Sequence, residues 1–347
     1  MLSIFKERKI EKELKIIQEA RVFDYEKGES FLLPKESSEL DKNIYFFTAS
    51  SYEKRQTIVF RLEVTTTQTN AWIYFVDGFN RYYLEQTDYT TNCPLKIFKE
   101  EGVWNIVFAG YLKKNNNKDL ARLTFAAKFL SNEDAIDSSF YLNEKQVSKI
   151  LLKEKKSEEF YNDLKNKQCT EYHQFGKLKG KIILEGQNSP LDMPCFRKHT
   201  YGKIDCSTIN NNFSIAICNK KNSYLYEMIS LPSISILETC LIKQENKELK
   251  KSILNKYERQ LLLKGSAPEN LNILMKLEED EDSIGIHAKK IDTIKYTLQD
   301  GEYTLTIGVA EFLINGINYR GVFELGYNKD RSRWFNNKDI SKLLKWK

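Results

Sequence analysis

Short apolar runs separated by polar turns dominate the chain from residue 43 onward. The runs are rich in β-branched and aromatic residues, as in Val103–Leu112 and Leu120–Phe129, and similar runs resume at Thr170 and continue to Leu325. Strands spaced about 8–12 residues apart, without helices between them, indicate an antiparallel barrel or sandwich. Aromatic residues make up 12% of the chain, which strengthens the β prediction because they suit pleated, half-buried surfaces.

Three segments depart from that pattern. Residues 4–20 carry apolar side chains at helical spacing among mixed charges, which predicts a helix packed on the body or, alternatively, an amphipathic membrane anchor. Residues 143–166 have apolar positions among many Lys and Glu residues, which predicts a helical connector. The segment Glu245–Leu262 fits either a charged helix or a hairpin, and we favour the hairpin because the neighbouring segments are predicted strands.

The pattern therefore predicts an all-β fold with a few helices, in which two tandem antiparallel β-barrels are joined by a helical connector. The 347 residues are enough for two domains of common size. The expected units are, in chain order, an N-terminal amphipathic helix with its lead-in (1–29), a first barrel (30–142), the connector (143–167), a second barrel (168–328) and a basic tail (329–347).

The charge is unevenly distributed along the chain. There are 54 Lys and Arg residues against 48 Asp and Glu residues, a formal charge of +6, and the tail 329–347 alone holds seven basic and two acidic residues. The body is thus nearly neutral, so no nucleic-acid partner is expected. The basic, aromatic tail could make a peripheral contact with an anionic membrane, although docking of its aromatic side chains on the body is the interpretation we favour.

Features of the sequence also bear on the compartment. The N-terminus reaches charged residues after five positions, so no signal peptide is expected. The most apolar stretch, around Leu225–Ile242, is interrupted by Glu227, Pro232 and Glu238 and cannot form a spanning helix. The six cysteines are scattered without a CxxC pair, so we expect reduced thiols. These features favour a cytoplasmic protein, with peripheral membrane association as the alternative.

The usual catalytic and cofactor signatures are absent from the sequence. It contains no nucleophile elbow, P-loop, dinucleotide-binding glycine motif or zinc-protease helix motif. Its three histidines, His173, His199 and His287, do not have metal-ligand spacing. We therefore expect no metal and no cofactor.

Four short motifs stand out, and each combines glycines with aromatic or polar residues. In chain order, they are a strand with Trp104, Val107, Phe108, Gly110 and Leu112; a strand entry with Gln174, Gly176 and Gly180; the segment Arg197-Lys198-His199-Thr200-Tyr201-Gly202; and a closing hairpin with Gly308, Phe312, Gly316, Gly321, Glu324, Gly326 and Tyr327.

Together, these motifs resemble the lipocalin-like N-terminal region of animal phosphoenolpyruvate synthase-like proteins. That region is part of a wider group of tandem lipocalin-like proteins, with carotenoid 1,2-hydratases (hydroxyneurosporene synthases), tocopherol-cyclase-like proteins, fungal Diels–Alderases and the yeast ceramide-binding survival factor. The resemblance spans roughly residues 40–328 and implies two lipocalin-like barrels. In the animal relatives this region is joined to a phosphotransfer enzyme, which 347 residues occupied by two barrels cannot also contain.

The sequence departs from the family's pattern at three motif positions. Lys198 stands where the family has an aspartate next to the motif histidine, and His173 and Cys206 replace an acidic residue and a tryptophan. An aspartate at position 198 could orient the imidazole through its carboxylate, whereas a lysine adds a repelling cation. Chemistry that depends on that acid is therefore not expected here.

Arg197 and His199 lie two positions apart, so on a strand they share one face. If that face points into a barrel, both need partners, and Glu324 is the carboxylate that we expect within hydrogen-bonding reach of Arg197. A buried structural ion pair, a polar anchor for a ligand head group and acid–base catalysis are the three open interpretations.

The candidate site residues fall into two groups. The ligand-binding or polar-anchor candidates are Arg197, His199, Tyr201, Gln174, Glu324, Trp72 and Trp104, where each tryptophan either fills a barrel core or stacks on a ligand. The glycines at turns, bulges or close approaches are Gly176, Gly180, Gly202, Gly316 and Gly321.

Three functions fit this sequence. The favoured one is non-catalytic binding of an apolar or amphipathic small molecule, such as a lipid or an isoprenoid, in a lipocalin-like barrel. The first alternative is a hydratase, cyclase or isomerase that acts on a hydrophobic polyene. The second is a non-catalytic interaction module related to a phosphoenolpyruvate synthase-like protein, which predicts barrels filled by their own side chains.

Overall fold

The computed structural model describes residues 2–20, 38, 40–84, 87–115, 119–137, 144–155, 157–165, 168–245, 249–257, 269–277, 283–298 and 303–328. Most of these residues lie in β-strands, which confirms the all-β prediction with two tandem lipocalin-like units. The basic tail 329–347 and residues 21–37, which include the predicted lead-in after the first helix, lie outside the described residues.

The first unit is a curled sheet of eleven antiparallel strands. Its main strands follow the order β11-β1-β2-β3-β4-β7-β8-β10, and β10 pairs with β11, which brings the sheet back to its first strand. The short strands β5, β6 and β9 pair with β3, β7 and β10. The strands are β1 (Asp41–Ser51), β2 (Gln56–Val64), β3 (Thr69–Asp77), β4 (Asn80–Tyr83), β5 (Asp88–Tyr89), β6 (Leu95–Glu100), β7 (Val103–Lys114), β8 (Leu120–Leu130), β9 (Ile136–Asp137), β10 (Cys169–Leu184) and β11 (Gln187–Lys203).

The second unit is a closed barrel of eight antiparallel strands, each paired with its neighbours in the chain. The first and last strands pair with each other and close it. Its strands are β12 (Asn211–Cys218), β13 (Asn222–Leu231), β14 (Ile234–Gln244), β15 (Lys250–Tyr257), β16 (Asn270–Leu277), β17 (Ser283–Leu298), β18 (Tyr303–Ile314) and β19 (Ile317–Asn328). The antiparallel pairing of β14 with β15 agrees with the favoured hairpin in Glu245–Leu262. Residues 246–248 and 258–262 of that segment lie outside the described part.

Three α-helices occur among the described residues: α1 (Leu2–Glu19), α2 (Glu144–Glu154) and α3 (Ser157–Lys165). Their apolar faces meet in one cluster with the barrel residue Ile234. Leu14 of α1 and Phe160 of α3 are fully buried there, which agrees with a helix packed on the body. No helix among the described residues combines the length and the apolar character needed to cross a bilayer.

Strand pairing corrects the expected boundary between the two units. β10 and β11, which we had expected in a second barrel starting at residue 168, form a long hairpin that pairs with β8 on one side and β1 on the other. Leu178, Met193 and Cys195 of this hairpin lie in the core of the curled sheet. The hairpin belongs to the first unit because it covers what would otherwise be unpaired edges of β1 and β8. The closed barrel therefore begins only at Asn211. The helices α2 and α3 thus connect two strands of one sheet.

Besides the two interior cores, a third apolar cluster lies between the curled sheet and the closed barrel. The sheet contributes Phe46, Val59 and Trp72, and the barrel contributes Leu225 and Val322 among others. The central strands of the curled sheet are buried on both faces for this reason: β2 and β3 are each buried at seven consecutive positions. Alternate side chains of these strands therefore belong either to the sheet interior or to the contact with the barrel.

Candidate functional site

The third motif lies on β11, where alternate residues face the interior of the curled sheet. Cys195 belongs to the interior core, and Arg197 and His199 continue its face at the next two alternate positions. Both Arg197 and His199 have 0% of their surface exposed. Two strongly polar side chains are thus fully enclosed at one end of an apolar interior.

Arg197 donates hydrogen bonds to two neutral side-chain oxygens. Its Nη1 lies 3.2 Å from Oε1 of Gln174, and its Nη2 lies 3.0 Å from the hydroxyl oxygen of Tyr172. Its guanidinium carbon lies 4.4 Å from the ring centroid of Trp104, within the range of a cation–π contact. Gln174 is itself held by a hydrogen bond from its amide nitrogen to the backbone oxygen of Glu133, at 2.7 Å.

His199 continues this network. Its Nδ1 meets the hydroxyl of Tyr172, its Nε2 lies 2.5 Å from Oδ1 of Asn43, and its ring stacks on Tyr45 with centroids 4.5 Å apart. The amide nitrogen of Asn43 lies 2.9 Å from the hydroxyl oxygen of Tyr45, which fixes the amide oxygen toward the imidazole.

These contacts form a chain of hydrogen bonds with a single direction. An amide oxygen only accepts, so Nε2 of His199 carries the hydrogen toward Asn43, and a neutral imidazole then accepts at Nδ1. The Tyr172 hydroxyl donates to that nitrogen and accepts from Arg197. Arg197 therefore polarises the phenol of Tyr172, since a cation donates to its oxygen.

Glu324 does not pair with Arg197, which corrects our expectation. Its carboxylate lies 2.8 Å from Nζ of Lys198 and 3.4 Å from Oγ of Ser214, on the face of β11 that meets the closed barrel. Residues 197 and 198 point to opposite faces of the strand, so a carboxylate from β19 can reach only the second of them. Burial alone would lower the pKa of Lys198. The carboxylates of Glu324, Glu171 and Glu227 have the opposite and larger combined effect, so the pKa of Lys198 is raised above its ordinary value.

The remaining predicted anchors divide between the two faces. Tyr201 lies beside the imidazole, with its ring centroid 5.5 Å from that of His199, and Trp104 is an interior residue. Trp72 lies in the contact with the closed barrel, where it meets Tyr296 at 5.9 Å between ring centroids. Trp72 is therefore not part of the interior site.

Sequence reasoning missed Tyr172, Asn43 and Tyr45, although Tyr172 links both motif residues. Tyr172 lies two positions before Gln174, so the two share a face of β10, and strand pairing places Tyr172 opposite His199. The two-residue spacing of Tyr172 and Gln174 in the sequence was therefore enough to predict that they share a strand face. Asn43 and Tyr45 lie on β1, and their proximity depends on the pairing of β1 with β11.

A second polar cluster lies on the other face of β10, between the two units. Glu171, His173 and Glu227 bring potential metal-ligating atoms within 4.8 Å of one another. Burial is the main reason why the pKa of Glu227 is raised, and the nearby carboxylates of Glu171 and Glu324 add to it, while His173 and Lys198 oppose it. This is the group of side chains, among the described residues, that could hold a metal ion.

The predicted structural glycines lie at two kinds of position. At Gly180 an added Cβ would lie 2.1 Å from the backbone oxygen of Ala126, so the close pairing of β8 with β10 requires the missing side chain. Gly176 and Gly321 are similarly close to backbone oxygens, at 2.5 and 2.6 Å. Gly202 and Gly316 have positive φ angles of 104° and 78°.

Among the described residues, buried apolar side chains occupy the interior of the closed barrel. A pocket lined by Phe213, Leu271, Ala288, Lys290 and Phe312, among others, has a cavity volume of about 10 Å³. That volume holds roughly one water molecule. This pocket is far smaller than the several hundred Å³ typical of ligand sites.

No protein-family model matches the sequence, and no curated protein matches it significantly. Solved structures do. An AttH candidate from Nitrosomonas europaea superposes with a TM-score of 0.55 at 9% identity, covering 88% of this chain and 97% of the other. Kievitone hydratase from Nectria haematococca gives a TM-score of 0.51 at 10% identity, covering 89% and 94%. At such low identity these likenesses concern the fold alone: the chain has the tandem lipocalin-like fold of these proteins.

Proposed function

We propose that this protein binds an amphipathic small molecule inside the curled sheet, with the polar head group of the ligand received by Arg197, Tyr172 and Gln174. One observation carries the proposal. A fully buried guanidinium, bonded to neutral side-chain oxygens, lies against a tryptophan ring inside an otherwise apolar interior.

The apolar part of the ligand would contact the interior side chains of the curled sheet. These are mainly aromatic and aliphatic, and they include Phe47, Ile106, Phe108, Phe129 and Leu178. Contact with such side chains removes apolar ligand surface from water, which is the main source of affinity for a hydrocarbon group. We therefore expect a ligand with an extended hydrocarbon part.

The head group is expected to be a carboxylate or a similar oxygen-rich anion. A guanidinium presents its donors in a planar fork that matches two carboxylate oxygens. Two of the oxygens that Arg197 contacts, on Gln174 and Tyr172, are uncharged. An anionic oxygen in their place would make a stronger, charge-assisted hydrogen bond.

The full burial of this network has a kinetic consequence. Because Arg197 and His199 are 0% exposed, a ligand can reach them only if part of the sheet end moves outward. Binding that requires a conformational change is slower than typical association. We therefore expect slow association. The pocket described in the closed barrel is too small for such a ligand, so binding there would also require rearrangement.

In this proposal the tail 329–347 binds peripherally to an anionic membrane that supplies the ligand. Its seven basic residues and its aromatic side chains suit an anionic surface. A cytoplasmic protein that collects its ligand at a membrane fits this composition. Deleting the tail should then leave binding in solution intact and abolish its enhancement by anionic liposomes.

The experiment is a displacement titration with a fluorescent fatty acid as the probe. Unlabelled long-chain carboxylic acids and alcohols of the same length are the competitors, and the proteins are wild type, Arg197→Gln and Arg61→Gln. Arg61 is the matched control because it is also buried and lies 5.4 Å from a tryptophan ring, that of Trp72, but on the face toward the barrel.

We expect saturable binding of one probe per chain, with the acid preferred over the alcohol. Arg197→Gln should weaken binding of the acid by about tenfold or more, the effect of losing one charge-assisted hydrogen bond of roughly 1.5–3 kcal/mol, and should change binding of the alcohol little. Arg61→Gln should bind like wild type. An equal loss for acid and alcohol in Arg197→Gln, or no saturable binding at all, would contradict the proposal.

A second candidate function is acid–base catalysis on a hydrophobic substrate, as in a hydratase or an isomerase. The observation in its favour is the Tyr172 hydroxyl, placed between the guanidinium of Arg197 and the imidazole of His199, where a proton could pass along the chain of hydrogen bonds. Kievitone hydratase, which shares the fold, is named for such a reaction. If this function holds, His199→Gln should abolish turnover of a bound polyene while the affinity for the probe is retained.

The link to phosphoenolpyruvate synthase-like proteins remains a prediction from the sequence motifs. It would be favoured if neither acid nor alcohol binds saturably and no product forms. The protein would then act as an interaction module whose two units are filled by their own side chains.

A further inference from the structure

The second polar cluster joins the two units of the protein. Glu171 and His173 lie two positions apart on β10, and Glu227 comes from β13 of the closed barrel. The Nε2 atom of His173 is 3.5 Å from Oε1 of Glu171 and 3.5 Å from Oε1 of Glu227. An imidazole thus lies between two carboxylates that belong to different units.

His173 is the least satisfied member of the cluster. Its exposed fraction is 0%, and neither of its ring nitrogens has a hydrogen-bond partner among the described residues. Its ring packs against Phe196, with centroids 5.3 Å apart. A buried polar group without a partner is costly, so a group that engages Nε2 at this point would stabilise the arrangement.

Carboxyl groups and one cation surround His173. Glu171, Glu227 and Glu324 contribute three carboxyl groups, and Lys198 contributes one ammonium group that pairs with Glu324 at 2.8 Å. The carboxyl groups of Glu171 and Glu227 are the two that face Nε2 of His173. A divalent cation between them would bind both oxygens and the imidazole nitrogen.

We propose that Glu171, His173 and Glu227 bind a divalent transition-metal ion, which fastens the curled sheet to the closed barrel. Two ligands of a tetrahedral zinc ion are about 3.3 Å apart, from metal–ligand distances near 2.0–2.1 Å. The two separations of 3.5 Å from His173 come close to that value. All three ligand atoms lie within 4.8 Å of one another, so binding requires the two carboxylates to close around the ion.

The ligand set selects the class of metal. An imidazole nitrogen disfavours Ca²⁺ and Mg²⁺, which take oxygen ligands, and the absence of a thiolate or thioether from the set disfavours Cu⁺. One imidazole with two carboxylates suits Zn²⁺, Co²⁺ or Mn²⁺. The sequence suggested no metal site because this set combines a Glu-x-His pair on one strand with a glutamate 54 positions farther along the chain.

The experiment measures metal binding to the full chain after treatment with a chelator and transfer to metal-free buffer. Co²⁺ is titrated in while its visible absorption is recorded, and Zn²⁺ is then added to displace it. The variants are His173→Gln and Glu227→Gln, with His287→Gln as the matched control. His287 also lies on a strand, and its Nδ1 is 2.6 Å from Oδ1 of Asn272, away from the cluster.

Wild type should bind one Co²⁺ per chain, give the absorption of a nitrogen- and oxygen-ligated ion without a thiolate-to-cobalt charge-transfer band, and release it to Zn²⁺. His173→Gln and Glu227→Gln should each lose about 100-fold or more in affinity, because even residues outside the first coordination shell cost 10–100-fold. His287→Gln should bind like wild type. Glu227→Gln keeps the size of the side chain. Its affinity for Co²⁺ therefore tests the proposed site even if His173→Gln does not fold.

Three results would overturn the proposal. They are the absence of saturable binding to wild type, a charge-transfer band that assigns the ion to a cysteine, and unchanged affinity in a folded His173→Gln or Glu227→Gln variant. The cluster lies on the opposite face of β10 from Gln174 and Tyr172, so its failure is distinct from a failure of ligand binding.

Discussion

At the scale of single residues, the protein buries its charges in two different ways. Arg197 donates to Gln174 and Tyr172, which are neutral, and stacks on an aromatic ring. Glu63, in contrast, is enclosed with two cations: Nζ of Lys42 lies 2.8 Å from one of its oxygens, and Nη2 of Arg61 lies 3.3 Å from the other. The first arrangement suits exchange with an incoming anion, whereas the second is complete in itself.

The Glu63 cluster makes a prediction about acid stability. Burial alone would raise the pKa of Glu63. Arg61 and Lys42 have the opposite and larger combined effect, so the pKa of Glu63 lies below its ordinary value of 4.5. A carboxyl group with a depressed pKa in the folded state contributes stability above its unfolded pKa and loses it as the pH falls through the folded value. Glu63→Gln should therefore cost about 3–5 kcal/mol at pH 7, since two buried cations lose their partner.

Urea unfolding of wild type and Glu63→Gln at a series of pH values checks this prediction. The difference in the free energy of unfolding should be constant near neutrality and shrink as the pH falls below about 4.5. Glu269→Gln is the control, because Glu269 pairs with Lys290 at the surface, with 75% of its side chain exposed, and its replacement should change little. A Glu63→Gln deficit that stays the same down to strongly acid pH would contradict the account.

The sequence predicted one relation in the site and missed another, for a physical reason. The two-residue spacing of Arg197 and His199 is enough to place them on one strand face, since side chains alternate strictly along a strand. The partner of Arg197 could not be found in this way. Pairing with Tyr172 depends on the register of β10 against β11, and the expected partner Glu324 comes from a strand that packs on the other face.

At the scale of elements, the long hairpin of β10 and β11 determines the shape of the first unit. Its strands pair with each other over sixteen positions, and they also pair with β8 and β1. Apolar runs in the sequence identified β10, from Thr170, whereas β11 was considered a strand only through the face shared by Arg197 and His199. They could not reveal which sheet the strands join, because that depends on pairings between residues far apart in the chain. The intervening helices made a boundary at residue 168 plausible.

Close pairing of this hairpin with β8 predicts a specific sensitivity at Gly180. A Cβ there would lie 2.1 Å from the oxygen of Ala126 and 2.5 Å from the Cα of Ala127, and both are backbone atoms of β8. Gly180→Ala should therefore force the two strands apart and cost about 1–3 kcal/mol, the usual cost of overpacking. Thermal or urea unfolding of the variant measures this loss.

Gly285→Ala is the matched control for that measurement. Gly285 also lies within a strand, β17, but an added Cβ would meet nothing closer than Nε2 of His287, at 4.0 Å. Its replacement should change the free energy of unfolding by less than about 0.5 kcal/mol. Equal losses in the two variants would mean that the close approach of β8 and β10 is not what requires a glycine.

At the scale of the whole molecule, the two units have different interiors and a shared surface. Both interiors are packed by side chains among the described residues, and that of the curled sheet also encloses the polar network. The surface between them combines an apolar cluster with polar links. In one of these, Asp292 of β17 accepts hydrogen bonds from Tyr74 at 2.8 Å and Arg81 at 2.9 Å. On this account the curled sheet binds the ligand and the barrel supports its outer face.

The two tryptophans on opposite faces of the curled sheet allow the most direct test of that division. Trp104 lies inside, against Arg197, and Trp72 lies outside, against the barrel. In nitrogen-15 spectra, the two indole N–H signals are assigned from Trp104→Phe and Trp72→Phe variants, and a long-chain carboxylic acid is then titrated into wild type. The account predicts a saturable shift of the Trp104 signal, while the Trp72 signal stays in place. A saturable shift of Trp72 alone, or no shift of Trp104 at saturating ligand, would contradict binding inside the curled sheet.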